Sequence, residues 1–300
     1  MKTNKHYANK PGDHNDLKEE NSVKSGDQFI QKDEYLKAYA LYLAKFSQKY
    51  KKLGININAI QFQNEPYTYN QWPNCSWSAK GMTNFVGNYL GPKFAQEKVK
   101  SEIWFGTINN ANKAIFDTIL TDVKAKKYIK GVGFQYEGKD VVAHIYETYP
   151  NLKRMETESP CGDGDFSWKD AEKTFKTIKF YIDKGVNSYM CWNMVLDNVG
   201  ESTWGWKQNA LVAIDKTSKK AIYTPEFYVF KHFSSYVNPG SVKITSEGTF
   251  KNAISFINSE GKVVIVSANT NNSPFEITIK VNAKYFEVTL PANSFNTFVL

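Results

Sequence analysis

Hydrophobic residues follow two different periods along this chain of 300 residues. Up to residue 238, short runs of β-branched and aromatic residues alternate with longer segments in which apolar side chains recur every three or four positions. In residues 35–50, for example, the apolar side chains form one helical stripe, and Gly54 follows as a stop signal. From Pro239 onward the period changes to two, as in residues 275–281, which predicts β-strands.

Five strands are predicted in the first of these regions, and each is followed by a helix or a helical segment. They lie at residues 55–65, 103–107, 131–136, 152–158 and 186–193. This alternation is typical of a parallel α/β sheet, which is either open or part of a (β/α)8 barrel. The second region has predicted strands at residues 253–257, 262–268, 275–281, 285–290 and 295–300, separated by turn residues. It therefore predicts a small antiparallel module.

Composition narrows the classes of protein that these elements can form. With 41% hydrophobic and 15% aromatic residues, the chain can bury a large core, which excludes disorder for most of its length. The net charge of +8 comes from lysines spread along the chain without a compact basic run, so we expect no nucleic-acid partner. Neither the three cysteines nor the four histidines are spaced as ligands, so no metal and no cofactor is implied. No apolar run reaches transmembrane length, so we expect no stable membrane insertion. Residues 1–6 lack the apolar core of a signal peptide, and the sequence names no compartment.

Two carboxylates lie at the C-terminal ends of predicted strands. Glu65 ends the first strand, between Asn64 and Pro66, and Glu158 ends the fourth strand before a loop rich in proline, glycine and aspartate. Parallel α/β enzymes keep their chemistry at this end of the sheet. A pair of carboxylates there can hydrolyse a glycoside, because one protonates the leaving oxygen and the other attacks the sugar or activates water. Glu156 is an alternative to Glu158, since residues two apart on a strand face the same way, but Glu158 is nearer to the tip.

The pairing of Glu65 with Glu158 favours the barrel over the open sheet. In an open sheet built in sequence order their strands are three apart, which separates the two carboxyl groups by roughly 14 Å. A closed barrel turns strand-tip residues toward one axis and allows the separation of roughly 5 to 5.5 Å that a retaining mechanism needs. A complete barrel has eight strands, so this interpretation expects three strands besides the five predicted here.

Residues 63–66, Gln-Asn-Glu-Pro, and the later Thr157-Glu158 resemble the acid/base and nucleophile motifs of glycoside hydrolase family 30, the glucosylceramidase-like glycosidases. The resemblance runs over nearly the whole chain. It implies a (β/α)8 TIM barrel of which about strands 4 to 8 lie in residues 1–238, followed by an antiparallel β-sandwich domain in residues 239–300. The first four residues are similar to the end of a Trp-Met-Lys-Thr-Asn segment that follows the third barrel strand in the family. We therefore expect a family member begun at an internal methionine, with the preceding segment as a partner.

The resemblance also assigns roles to individual residues. It implies a retaining mechanism in which Glu65 is the acid/base, Glu158 is the nucleophile, and Asn64 hydrogen-bonds the 2-hydroxyl of the sugar. The other expected substrate contacts end the third and fifth strands or lie in an aromatic loop, and Trp192 would form the floor of the sugar subsite. These contacts are Gln135, Tyr136, Trp192, Asn193 and Trp204.

The expected substrate is a carbohydrate, and a β-glucosidase or glucosylceramidase-like activity ranks first. The resemblance also permits β-1,6-glucan and xylan. A second class of function is a catalytically inactive carbohydrate-binding remnant, which the absent strands favour and the two glutamates oppose. A third is an unrelated open-sheet enzyme for a nucleotide, which is disfavoured because no Gly-rich phosphate loop follows any predicted strand. Turnover of an aryl β-glycoside distinguishes the first class from the second.

Overall fold

The computed structural model describes residue 27 and residues 29–67, 75–201 and 205–300. The chain divides into two compact units. The first consists of Met1–Ser159 and Lys184–Met190, and the second of Pro160–Asp183 and Cys191–Leu300. No helix in the described ranges is both long enough and apolar enough to span a lipid bilayer.

Helices and strands alternate along the first unit. The helices are α1 (Asp33–Lys52), α2 (Ala79–Phe85), α3 (Gly91–Gln96), α4 (Lys113–Thr121) and α5 (Val142–Thr148). A π-helical turn (Val86–Leu90) joins α2 to α3, and a 3-10 helix (Tyr136–Val141) precedes α5. The strands are β1 (Ala59–Gln61), β2 (Glu102–Ile108), β3 (Ile129–Gln135), β4 (Lys153–Glu158) and β5 (Ser188–Tyr189).

These five strands form one parallel sheet in the order β1-β2-β3-β4-β5. The register pairs Gln61 with Trp104 and Gln135 with Glu158. Because all strands run in the same direction, their C-terminal ends meet at one edge of the sheet. The predicted parallel sheet of five strands is therefore confirmed, and the ends of β1, β3 and β4 share that edge.

The two long strands β2 and β3 rest on a buried aromatic layer. Phe105 of β2 and Val132 and Phe134 of β3 are completely buried. Phe116 of α4 packs edge-on against Phe105, with ring centroids 5.7 Å apart, and stacks on Phe134 at 5.8 Å. Burial of each such side chain contributes about 1.5–3 kcal/mol. Strands β2 and β3 are thus held in place by a well-packed aromatic core that they share with α4.

The second unit contains helices α6 (Trp168–Asp183) and α7 (Pro225–Ser234) and nine short strands in its described part. These strands are β6 (Val195–Asp197), β7 (Val212–Ile214), β8 (Ala221–Tyr223), β9 (Val242–Ile244), β10 (Ala253–Ile257), β11 (Val263–Asn269), β12 (Phe275–Val281), β13 (Lys284–Leu290) and β14 (Ser294–Val299). Strands β9, β10, β11 and β14 form an antiparallel sheet, β12 and β13 form a hairpin, and β6 to β8 form a three-stranded sheet. The predicted antiparallel strands are confirmed to within a few residues.

The fifth strand of the parallel sheet is shorter than the sequence predicted. β5 comprises only Ser188–Tyr189. Beyond it the backbone pairs with a different segment, because the carbonyl oxygen of Asn193 accepts a hydrogen bond of 3.2 Å from the N–H of Leu211. Trp192 and Asn193 therefore lie past the strand, in the second unit, and the expectation that they form its tip is wrong.

Candidate active site

The first strand ends at Gln61 and not, as predicted, at Glu65, which lies four residues further along the chain and is held by backbone hydrogen bonds to β2. The N–H of Thr107 donates to the carbonyl oxygen of Gln63 at 2.7 Å, and the N–H of Glu65 donates to the carbonyl oxygen of Thr107 at 3.1 Å. Glu65 is 7% exposed, and its φ of +45° lies in the left-handed region that non-glycine residues rarely adopt. Such a conformation costs on the order of 1–3 kcal/mol and is typical of functional sites.

Asn64 precedes Glu65 and is oriented by two donors. Its Oδ1 accepts a hydrogen bond from Thr107 Oγ1 at 2.8 Å and another from Gln135 Nε2 at 2.9 Å. Both lone pairs of the amide oxygen are therefore used, which fixes the plane of the side chain. Its Nδ2 group has no acceptor among the described residues and can therefore donate to a ligand.

Glu158 receives one hydrogen bond on each carboxyl oxygen. Tyr136 donates from its hydroxyl to Oε1 at 2.7 Å, and Gln135 donates from Nε2 to Oε2 at 2.8 Å. Burial raises the pKa of Glu158, and the Tyr136 hydrogen bond opposes that rise by stabilising the ionised form. Glu158 is thus a half-buried carboxylate whose direction is fixed by β3.

A β-bulge separates Glu158 from Glu156. In the pairing of β3 with β4, Phe134 faces Glu156 and Gln135 faces Glu158, so Thr157 is the extra residue. The extra residue breaks the strand alternation. The expectation that Glu156 and Glu158 face the same way is therefore wrong.

Glu156 has an environment quite unlike that of Glu158. It has no exposed surface, Ser159 Oγ lies 2.6 Å from its Oε1, and the N–H of Met190 donates to its Oε2 at 3.1 Å. Burial raises the pKa of Glu156 to about 7, and the charge of Glu158 adds to that rise. The Glu156 carboxyl group therefore changes its protonation state near neutral pH.

A cavity of about 640 Å³ borders the candidate residues. Its lining residues are Asn58, Ala59, Gln61, Asn64, Glu102, Trp104, Thr107, Gln135, Lys153, Met155, Thr157, Glu158 and Met190. This volume is typical of a small-molecule site. Asn64, Gln135 and Glu158 bring two amides and one carboxylate to the same space. Glu65, although next to Asn64 in the chain, is not one of the lining residues.

A larger groove of about 920 Å³ lies near the opposite ends of the strands. It is lined by exposed lysines such as Lys51, Lys98 and Lys100, and by residues that precede β1 and β2. Enzymes with parallel sheets place their chemistry at the other ends of the strands. The smaller cavity is therefore the better candidate for an active site.

Among the described residues, three of the expected substrate contacts do not line this cavity, namely Tyr136, Trp192 and Asn193. Trp192 is 40% exposed, and Asn193 donates from Nδ2 to Gln208 Oε1 at 3.1 Å, both within the second unit. Trp204 lies outside the described residues. The substrate contacts expected of these four residues stay a prediction.

Thr107 and Trp104 are among the residues of the cavity that were not anticipated from the sequence. Thr107 orients Asn64, and the Trp104 indole lines the cavity while its Nε1 donates to Glu102 Oε2 at 2.9 Å. Thr107 ends the second predicted strand, so its position at a strand tip was a usable signal. Trp104 belongs to the same predicted strand, in its interior.

One acidic cluster occurs in the described part of the chain. Carboxylate oxygens of Asp163, Asp165 and Asp170 lie within 4.8 Å of one another. Asp170 is already engaged by Lys173 Nζ at 2.6 Å and by Asn209 Nδ2 at 3.1 Å. A lysine ammonium and an amide thus satisfy the buried member of the cluster, and the other two are exposed to water.

These features define a class of protein. A parallel α/β unit with one glutamate at the end of a strand and a second in the loop after another strand is typical of glycoside hydrolases, which use paired carboxylates. The chain belongs to glycosyl hydrolase family 30. The model described as "Glycosyl hydrolase family 30 TIM-barrel domain" matches residues 9–237, and the model described as "Glycosyl hydrolase family 30 beta sandwich domain" matches residues 240–298.

Individual relatives agree with this assignment. The chain is 26% identical over 297 residues to putative glucosylceramidase 1 of Caenorhabditis elegans, covering 89% of this chain and 57% of the relative. It is 24% identical over 282 residues to endo-1,6-beta-D-glucanase neg1 of Aspergillus fumigatus, covering 89% of this chain and 56% of the relative. The crystal structure of SrfJ from Salmonella typhimurium superposes with a TM-score of 0.81 at 21% identity, covering 90% of this chain and 63% of that chain. The chain thus spans about half the length of the curated relatives it matches.

The matches confirm the predicted family and fold. The parallel sheet is part of a TIM barrel, and strands β9 to β14 are those of a C-terminal β-sandwich. An unrelated open-sheet enzyme is therefore excluded. The domain boundary at residues 238 and 239 stays a prediction.

Proposed function

We propose that this chain carries the active site of a retaining glycoside hydrolase that cleaves β-glycosidic bonds by double displacement. The observation that carries this proposal is the environment of Glu158. The carboxylate receives hydrogen bonds from Tyr136 and Gln135 at the end of β4 and borders a cavity of about 640 Å³. Two donors favour the ionised carboxylate, which is the form that attacks an anomeric carbon.

The reaction has two displacements. In the first, a carboxylate oxygen of Glu158 bonds to the anomeric carbon, the bond to the leaving oxygen breaks, and Glu65 gives its proton to that oxygen. In the second, water attacks the anomeric carbon, Glu65 takes a proton from that water, and the ester bond to Glu158 breaks. Each step inverts the anomeric carbon, so the product keeps the β configuration.

Two amides supply the contacts to the sugar. Asn64 offers its Nδ2 group to the 2-hydroxyl, because its Oδ1 is already taken by Thr107 and Gln135. Within the described part of the chain, Gln135 Oε1 is a buried acceptor without a hydrogen-bond partner. A buried acceptor of this kind costs free energy until a donor reaches it, so it suits a sugar hydroxyl.

The proposed substrate is a β-glucoside of the glucosylceramide type. The name of the Caenorhabditis elegans relative, putative glucosylceramidase 1, supports this choice. The name of the Aspergillus fumigatus relative, an endo-1,6-beta-D-glucanase, supports β-1,6-glucan as the second candidate. Rates on glucosylceramide in detergent micelles and on soluble β-1,6-glucan, measured side by side, decide between the two.

The mechanism is tested by trapping its intermediate. The purified chain is incubated with a 2-fluoro-β-glucoside that carries a good leaving group, and its intact mass and peptide map are measured. The 2-fluorine destabilises the oxocarbenium-like transition state of both steps, whereas the activated leaving group restores the first step alone. We expect one added fluoroglucosyl group, located on Glu158.

Matched variants make the result specific. Glu158→Gln should not be labelled, whereas Glu226→Gln, which changes another buried glutamate, should be labelled like the wild type. An adduct on a different residue would contradict the assigned nucleophile. A folded chain that binds the glucoside but gains no mass would contradict the proposed glycosidase activity. It would favour the alternative, a catalytically inactive carbohydrate-binding remnant.

A further inference from the structure

One buried titratable group close to the cavity has no part in the proposed chemistry. The carboxyl group of Glu156 is enclosed between β4 and the residue that follows β5. Its two oxygens contact different partners, with Ser159 Oγ at 2.6 Å and the N–H of Met190 at 3.1 Å. A fully buried carboxyl group is expensive unless each oxygen is satisfied, and here both are.

Glu156 and its partner Ser159 lie on either side of Glu158 in the chain. Ser159 follows Glu158 directly, and the bulge at Thr157 precedes it. The N–H of Met190 is shared between the Glu156 side chain and the Glu156 carbonyl oxygen, which it reaches at 3.2 Å. The Glu156 side chain thus closes a short loop around Glu158 and fastens that loop to the neighbouring strand segment.

The protonation state of Glu156 fits this arrangement. Burial and the charge of Glu158 raise its pKa to about 7, so below neutral pH it is a neutral acid. Oε1 of Glu156 accepts from the Ser159 hydroxyl and Oε2 accepts from the Met190 N–H, and both hydrogen bonds oppose this rise. The nearest cation on the same strand, Arg154, is occupied by backbone carbonyl oxygens such as that of Gly185. Of the two glutamates, Glu158 is the one whose carboxyl oxygens accept hydrogen bonds from two donor side chains, Tyr136 and Gln135.

We propose that Glu156 is a positioning residue for Glu158. Its carboxyl group joins Ser159 to Met190 and keeps the tip of β4 in the bulged conformation that turns Glu158 toward the cavity. The catalytic consequence of this inference rests on the proposed function. Its structural part, the fastening of the β4 tip, stands independently of that function.

The test compares Glu156→Gln with Glu156→Ala in the whole chain. Glutamine keeps one oxygen for Met190 and one polar group for Ser159, whereas alanine keeps neither. We expect Glu156→Ala to lower kcat on an aryl β-glucoside by about 100-fold with KM nearly unchanged, because small misplacements of a reacting group cost about this much. Glu156→Gln should restore kcat to within about threefold of the wild type, because it preserves the geometry.

Two further measurements separate positioning from a general loss of stability. Amide hydrogen exchange at Met190 should be faster in Glu156→Ala than in the wild type and protected again in Glu156→Gln. The infrared band of a buried protonated carboxyl group should disappear in both variants. Glu226→Ala removes a buried glutamate that hydrogen-bonds Thr174 instead, and it should leave kcat and Met190 exchange unchanged.

The outcomes also separate this inference from the proposed function. If the wild type neither hydrolyses nor traps a glucoside, the function fails, and Met190 exchange alone still decides whether Glu156 fastens the β4 tip. If Met190 stays protected in Glu156→Ala, the inference is overturned, whatever the activity. A fall in kcat that Glu156→Gln does not restore would also overturn it, because it would mean that the charge and not the geometry is required.

Discussion

Gln135 donates a hydrogen bond of 2.8 Å from its Nε2 to Oε2 of Glu158, and the two residues are register partners on β3 and β4. The same Nε2 reaches Oδ1 of Asn64 at 2.9 Å. One amide group on β3 therefore joins a side chain at the end of β4 to one in the loop after β1. A change at any member alters the orientation or the proton affinity of the others, and this coupling makes the site testable by substitution.

Tyr136→Phe should move the acidic limb of the pH profile upward. The Tyr136 hydroxyl donates to Glu158 and lowers its pKa, so its removal raises that pKa further above the ordinary value. Glu158 must be ionised to attack, and a higher pKa then demands a higher pH. A hydrogen bond to a charged group is worth about 1.5–3 kcal/mol, so we expect a shift of about one pH unit or more in kcat/KM.

A matched control exists for this substitution. The Tyr149 hydroxyl donates to Asp117 at 2.7 Å, the same length as the bond from Tyr136 to Glu158. Tyr149→Phe should therefore remove a similar bond and leave the acidic limb in place. A limb that moves equally in both variants would contradict the assignment of Glu158 as the group that must ionise.

Asn64→Ala should weaken catalysis mainly through the 2-hydroxyl of the sugar. Loss of one donor to a hydroxyl whose hydrogen bonds strengthen in the transition state costs about 1.5–3 kcal/mol, so kcat/KM should fall about 10- to 100-fold. On the matching 2-deoxy glucoside the variant and the wild type should be nearly equal. Asn88→Ala, at an exposed position, controls for the change of side chain. An equal loss on both substrates would mean that Asn64 acts only by holding Gln135.

Glu65→Ala and Glu158→Ala should respond differently to the leaving group. Without its acid, the Glu65 variant should lose about 100- to 10,000-fold on a glucoside with a poor leaving group and far less on a dinitrophenyl glucoside, which needs no proton. Loss of Glu158 should be severe on both, because no covalent intermediate forms.

Added azide then identifies each residue by the product. In Glu65→Ala, azide displaces Glu158 from the glycosyl-enzyme and gives a β-glucosyl azide. In Glu158→Ala, azide attacks the substrate directly and gives the α-azide, while Glu65 protonates the leaving oxygen. An α-azide from Glu65→Ala and a β-azide from Glu158→Ala would mean that the two residues have each other's role. The same configuration from both variants would contradict double displacement.

Much of the fold could be predicted because its signals are local. Strands such as β10 and β12 have bounds that match the predicted residues 253–257 and 275–281, since alternating side chains and flanking turn residues mark both ends. The parallel order of the first five strands follows from the helices between them. The position of Glu158 at the end of β4 also follows from sequence, because the strand runs into a loop rich in proline and glycine.

The remaining features depend on pairing between distant segments. The bulge at Thr157 exists only because β3 and β4 pair in one register, and no residue type in β4 marks it. Strand formers continue after Tyr189, yet the backbone at Asn193 pairs with Leu211 and not with β4. The three-residue strands β6 to β8 are too short to show a period.

The raised pKa of Glu156 should make the stability of the chain fall as the pH rises from 4.5 to 7. Unfolded glutamate titrates near 4.5, whereas Glu156 in the folded chain titrates near 7, so between these values the folded state binds more protons. Stability from this group is complete below pH 4.5 and is lost by pH 7, a change of about 3 kcal/mol.

Urea unfolding of Glu156→Gln should lack this part of the slope, so the variant gains stability relative to the wild type as the pH rises. Glu34→Gln, on an exposed position of α1, provides the same change of residue type as a control. Parallel curves for the wild type and Glu156→Gln would show that Glu156 is ionised throughout and would contradict the neutral, hydrogen-bonded acid.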